Sequence, residues 1–137
     1  MTISVSSDHA GYELKQKVIA YLKEKGINVI EEGAPSGDKP YSYVEAGCAL
    51  AEDVLSGKAD KGIAICGTGI GISIVVNKYK GIRCGLCNNE YTARMVRQHN
   101  NGNVLAMGAR VVGQAVWLWF AHRIDFCRGL FDVFLLL

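Results

Sequence analysis

The run "KGIAICGTGIGIS", residues 61–73, narrows the fold more than any other stretch of the chain. Its first six residues are short and apolar enough to form a strand buried on both faces, as strands in parallel sheets are. Glycines at 67, 69 and 71 then mark a turn out of that strand into a helix. The rest of the chain repeats the alternation. Residues 2–6 read as a strand and 11–25 as a helix, with Leu14, Val18, Tyr21 and Leu22 on one stripe and Gly26 as its stop. Further strands are predicted at 27–30, 82–86 and 103–107, and further helices at 44–55, 72–80, 90–98 and from Gln114. Five strands with intervening helices predict an α/β fold, an open parallel sheet with right-handed crossovers. The segment "EEGAPSGDKPY", residues 31–41, reads as a loop long enough to form a rim or lid.

In such a sheet ligands sit beyond the carboxyl ends of the strands. "SDHAG" (7–11), "CGTGIG" (66–71) and "NNE" (88–90) all follow strands and so share one edge. The loop after Cys66 is nearly bare of side chains. Backbone N–H groups can therefore converge on an anion at the start of the following helix, where the dipole also favours negative charge. The same field favours thiolate over thiol at the mouth of the loop, making Cys66 a candidate nucleophile or base. Three other phosphate or nucleotide motifs fail by letter. No lysine follows in the GxxxxGK[ST] pattern, Ile72 stands where a phosphatase loop needs arginine, and the glycines do not space as GxGxxG. The same letters also suit a tight turn with Cys66 as a small buried apolar residue, and the loop alone does not choose.

Other residues carry the choice. Asp8 and His9 follow the first strand, where Asp8 can accept from sugar hydroxyls or simply cap a helix. His9 can donate to a hydroxyl or phosphate oxygen. His99, in "RQHNNGN", ends a helix whose C-terminus favours the charged imidazole, a general acid toward a ring oxygen; a plain C-cap turn is the alternative. Arg110 suits either a phosphate clamp or a surface ion pair. Cys84 and Cys87 form a CxxC along a strand rather than opening a helix, with no second pair for zinc. Cys48 and Cys127 read as apolar packing.

Composition removes several function classes. At 137 residues, half of them apolar and a fifth charged, the chain reads as one globular domain, 1–137, with an atypical apolar C-terminal segment from about 114. A net charge of +2, with basic residues scattered among acids, does not make a nucleic-acid surface. Arg123, Asp125, Arg128 and Asp132 interrupt the apolar tail too often for a membrane span, so its apolar surface is expected to pack on the core or on a partner. Five irregularly spaced cysteines and no N-terminal signal point to free thiols in the cytoplasm.

Taken together, "SDHAG", "ICGTGIGISI", "NK…GIR", "RQHN" and "VLAMGARVVG" resemble the B-type ribose-5-phosphate isomerases, relatives of the galactose-6-phosphate isomerase subunits, over residues 2–113. The resemblance implies a Rossmann-like three-layer sandwich, no metal or other cofactor, and a homodimer or homotetramer whose active sites lie between subunits. It implies that Cys66 moves a proton between C1 and C2 of the opened sugar and that His99 opens the ring. Gly67, Thr68, Gly69, Ile70 and Gly71 would hold the enediolate oxygens, and Asp8, His9, Asn100 and Arg110 would bind substrate. Galactose-type subunits lack the thiol, so Cys66 points to ribose 5-phosphate and ribulose 5-phosphate as substrate pair. A six-carbon sugar phosphate, or an impaired homologue that only binds, are the alternatives.

Two stretches depart from the family. Ser42, Tyr43 and Val44 stand where it usually has Asp-Tyr-Pro, which leaves Tyr43 as a further candidate. The chain ends "AVWLWFAHRIDFCRGLFDVFLLL" in place of a Gly-Gly-Arg-His stretch and a following arginine that bind phosphate. His122, Arg123 and Arg128 do not sit in that pattern, and phosphate binding is not carried onto them.

Overall fold

The computed structural model describes residues 1–112 and 134–135. Nine elements alternate along the chain: β1 (Thr2–Ser7), α1 (Tyr12–Glu24), β2 (Asn28–Gly33), α2 (Tyr43–Leu55), β3 (Lys61–Cys66), α3 (Ile70–Asn77), β4 (Cys84–Leu86), α4 (Glu90–Asn100) and β5 (Val104–Gly108). The strands form one sheet in the order β2-β1-β3-β5-β4, every pairing parallel. Residues 109–112 begin a further helix. The helix expected from Gln114, together with Cys127, His122, Arg123 and Arg128, lies outside the described residues.

Period-2 alternation in the strands divides the interior into two cores. On one face Ile3, Val5, Ile63, Ile65, Leu105 and Met107 meet Leu14, Val18, Ile19 and Leu22 of α1 and Ala93 of α4. On the other, Ala64, Cys66, Val104 and Ala106 meet Leu50 and Ala51 of α2 and Ile72 and Val76 of α3. The result is a Rossmann-like three-layer sandwich. Two buried hydroxyls in β1 are satisfied from α2: Ser4 Oγ donates to the buried Asp53 carboxylate at 2.9 Å and Ser6 Oγ to the Ala46 carbonyl at 2.7 Å. Phe134 and Leu135 are buried in the α1-side core, and Lys61 Nζ donates to both their carbonyls at 3.2 Å. At those two residues the apolar tail packs on the core.

The helix ends follow local chemistry. Ser42 Oγ accepts from the Val44 N–H at the start of α2, and Asn89 Oδ1 from the Thr92 N–H at the start of α4. Several boundaries differ from the sequence reading, most of all those of β2 and α3. β2 runs three residues further, through Glu31, Glu32 and Gly33, because these pair with Val5, Ser6 and Ser7 of β1. An edge strand tolerates the exposed acids that made the stretch look like a loop. The helix after Cys66 begins at Ile70 rather than 72 and ends at Asn77 rather than 80, since Thr68 Oγ1 accepts from the Ile70 N–H and turns the chain early.

The strand order sets the place of the site. From β1 the chain winds outward to β2, and from β3 it winds the other way, to β4 and β5. The carboxyl ends of β1 and β3 therefore flank the reversal point, where open sheets leave a crevice.

Candidate active site

Cys66 is the last residue of β3, 4% exposed, and its Sγ accepts the Gly69 N–H at 3.1 Å. Gly69 is itself left-handed, at φ 79°, and a Cβ there would lie 2.5 Å from Leu86 Cδ1 and 2.7 Å from the Met107 carbonyl carbon. An N–H aimed at the sulfur receives negative charge on it. The first turn of α3 begins one residue later, so its N–H groups, which have no partner within the helix, open beside the thiol. Thr68 and Ile70 are the exposed residues of the turn. Gly71 comes within contact of the Tyr43 ring; a Cβ on it would stand 2.9 Å from Cε2.

Arg110 docks on the same loop. Its N–H donates to the Gly67 carbonyl at 2.9 Å, and its guanidinium lies over Gly67, 3.2 Å from where a Cβ would be. The side chain is exposed beside the crevice, as a phosphate ligand needs, and no ion pair holds it among the described residues.

Across the crevice the β1 turn supplies Asp8 and His9. Asp8 is buried, its N–H donating to the Ile65 carbonyl and its Oδ1 accepting from the Gly11 N–H at 2.9 Å. One carboxylate oxygen thus holds the turn that leads into α1, but the helix N-cap is Gly11, which no side chain caps, so Asp8 is not the N-cap that the sequence allowed. His9 is half-buried, with Nδ1 3.1 Å from the Tyr41 nitrogen and 3.2 Å from the Tyr41 oxygen. In the tautomer in which Nδ1 accepts from that N–H, the ring carries its proton on Nε2, turned away from Tyr41. Tyr41 is a residue the sequence reading passed over in favour of Tyr43. Its role is a backbone contact 32 positions away, which no side-chain motif announces.

His99 and Asn100 do not join these groups within one chain. They end α4, exposed, where Arg83 Nε donates to the Asn101 carbonyl and the Gly62 N–H to the Asn103 carbonyl. This is the amino-terminal edge of the sheet. Val104 pairs with Gly62 and Gly108 with Cys66, so the two edges are separated by four strand steps, about 13 Å of sheet. A site containing both Cys66 and His99 needs a second copy of the chain.

The remaining cysteines stand apart. Cys84 packs against the α2 and α3 side of the sheet while Cys87 is buried on the α1 side, so the CxxC straddles a strand. Burial, and then the neighbouring Cys87, push the Cys84 thiol up to about 12, and burial also raises Cys87. Both shifts disfavour the thiolate that a redox nucleophile needs. Among the described residues no group of three or more His, Cys, Asp or Glu is placed to hold a metal ion, and no helix is long and apolar enough to cross a membrane.

A family profile described as Ribose/Galactose Isomerase matches residues 3–123. The chain belongs to the ribose/galactose isomerase family. The Escherichia coli (strain K12) protein named ribose-5-phosphate isomerase B is 47% identical over 112 residues, 81% of this chain and 74% of that protein. Galactose-6-phosphate isomerase subunit LacB of Clostridium acetobutylicum is 41% identical over 135 residues, 98% of this chain and 72% of the relative. Among solved structures, Clostridium thermocellum ribose-5-phosphate isomerase B superposes with a TM-score of 0.87 at 44% identity, covering 98% of this chain and 84% of that one. The reaction class comes with the family: the chain is an aldose–ketose isomerase, an intramolecular oxidoreductase.

Proposed function

We propose that the chain interconverts ribose 5-phosphate and ribulose 5-phosphate through an enediolate. The observation that carries this reading is the Cys66 sulfur at the β1/β3 crevice with the Gly69 N–H 3.1 Å away, in a chain 47% identical to a ribose-5-phosphate isomerase B. His99 of a second copy gives a proton to the ring oxygen as the bond from C1 to that oxygen breaks and the C1 hydroxyl gives up its proton to water, which opens the furanose to the aldehyde. Cys66, as thiolate, removes the proton on C2; the electron pair moves into the C1–C2 bond, and the carbonyl oxygen takes up negative charge. N–H groups of the 67–71 turn receive that charge; the hydroxyl proton on O2 passes to O1, the C1–C2 pair takes the carbon-bound proton back from Cys66 at C1, and C2 is left as the carbonyl carbon. His9 Nε2–H and Asp8 hold hydroxyl or phosphate oxygens, Arg110 the phosphate, and Asn100 enters with His99. Redox balance is internal to the sugar, so no cofactor enters the scheme.

The separation of His99 from Cys66 supports a homodimer, or a tetramer built from two. Exposed Ile70 and Ile74 on α3, with Tyr43 and Val44 on α2, form an apolar surface continuous with the Cys66 turn, and a second copy is its proposed occupant. A six-carbon substrate is the second reading, supported by the galactose-6-phosphate isomerase subunit that matches nearly the whole chain. Turnover of ribose 5-phosphate and galactose 6-phosphate by the purified chain and by Cys66→Ala, with no metal added, separates the readings. Ribose 5-phosphate turnover lost in the variant is expected. Preference for the six-carbon sugar supports the second reading, and a folded oligomer that turns over neither is a binding homologue.

A further inference from the structure

Lys15, only 1% exposed, lies in the first turns of α1, outside the crevice. Its ammonium donates to the Glu32 carbonyl at 2.9 Å and the Ala34 carbonyl at 2.7 Å, pairs with the Glu31 carboxylate at 3.1 Å, and sits 5.3 Å from the centre of the Tyr12 ring. Burying a charge is costly, and an apolar side chain of similar volume commonly serves stability as well or better. What the ammonium does that methionine cannot is hold two carbonyls inward where β2 ends and the 34–42 loop begins.

The loop is pinned at both ends and along its length. At its start the Ala34 N–H donates to the Ser7 carbonyl at 2.8 Å, and Gly33, at φ 81°, lets the chains approach so closely that a Cβ would fall 2.2 Å from that oxygen. Midway Gly37 crosses the Tyr12 ring; a Cβ on it would lie 3.6 Å from Cδ1 and 3.7 Å from the His9 carbonyl oxygen. At its end Tyr41 holds His9 Nδ1. Lys15, Tyr12 and Tyr41 border one open polar groove of about 490 Å³, together with Ala34 and Pro35 of this loop.

We propose that Lys15 is a positioning residue for the sugar-phosphate site: by tying the carbonyls of Glu32 and Ala34 to α1, it sets the loop from which Tyr41 orients His9. The role rests on the isomerase reading of the site, and two readouts keep the two apart. In 15N-histidine-labelled protein, long-range 1H–15N correlation reports which ring nitrogen carries the proton, with His9→Gln identifying the His9 signals. Wild type is expected to show the Nε2–H form. Lys15→Met is expected to show a mixture of forms, and to raise KM about tenfold with kcat within about twofold, because His9 serves binding. A merely structural Lys15 would lower the active fraction, hence kcat, at unchanged KM and with a wild-type His9 spectrum. That result in the folded variant overturns the proposal.

Glu31→Gln provides the second variant, since Glu31 is nearly half exposed and its loss only loosens the ammonium. It is expected to shift both readouts in the same direction, with KM up about threefold. If Lys15→Met fails to fold, wild-type spectrum and KM in Glu31→Gln overturn the proposal. Absence of sugar-phosphate turnover in wild type sinks the reading of the site, while the His9 spectra of wild type and variants still decide the positioning role.

Discussion

At the residue scale, the turn after Cys66 depends on two atoms. Removing the sulfur in Cys66→Ala takes away the proposed base, and a positioned acid or base contributes on the order of 10²–10⁴ in rate. Turnover of ribose 5-phosphate is expected to fall by that factor while the unfolding midpoint stays near wild type, measured by coupled assay and by urea titration. Gly69→Ala acts through the backbone. Its φ of 79° and the 2.5 Å approach to Leu86 make any Cβ strained there, and the Gly69 N–H moves away from the sulfur. A loss of order 1–3 kcal/mol in stability is expected, together with a lower kcat. A Gly69→Ala variant as stable as wild type would show that the left-handed turn is not needed. Cys66 was legible as a candidate because a thiol before alternating glycines is unusual. Tyr41 was not, because a main-chain contact leaves no mark on the choice of side chain.

At the element scale, β4 shows how the sheet decides what a motif means. Cys84 and Cys87 carry a redox-like spacing, yet pleating sends them to opposite faces. Cys84 stays a thiol to about pH 12 in the fold, whereas in the unfolded chain it ionises near its ordinary value of 9.0. Between those values the unfolded state binds fewer protons than the native state, so stability falls as pH rises through that window and is independent of Cys84 below it. Urea midpoints measured from about pH 8 to 10.5 are expected to drop, with a shallower drop in Cys84→Ala. In the native protein at about pH 8, Cys84 and Cys87 are expected to resist alkylation and to form no disulfide under mild oxidation. The helices were readable from their stripes. The extension of β2 was not, because pairing with β1 overrides the loop-like composition of Glu31, Glu32 and Gly33.

At the scale of the whole molecule, the sheet holds its two most reactive candidates apart. Cys66 lies at the carboxyl edge and His99 at the amino-terminal edge, so in the proposed homodimer with shared sites neither Cys66→Ala nor His99→Asn would leave a complete site. Mixing the two inactive variants after unfolding and refolding together is expected to restore roughly a quarter of wild-type activity, since half the dimers are mixed and each contains one intact site. No recovery, with mixed dimers demonstrated by mass, would mean that the sites are not shared.

The sequence alone established the layer order, the thiol, the glycine turn and the family pattern, because strand and helix periodicity and backbone permissiveness are local properties written in adjacent letters. It also placed Asp8, His9 and the Cys66 turn on one edge, since parallel strands share a carboxyl end. Three things required the folded chain: the clasp of Tyr41 on His9, the buried Lys15 beneath its loop, and the distance that removes His99 from Cys66. Each depends on contacts between residues far apart in the chain, and such contacts exist only once strand order and helix direction have set which edges meet.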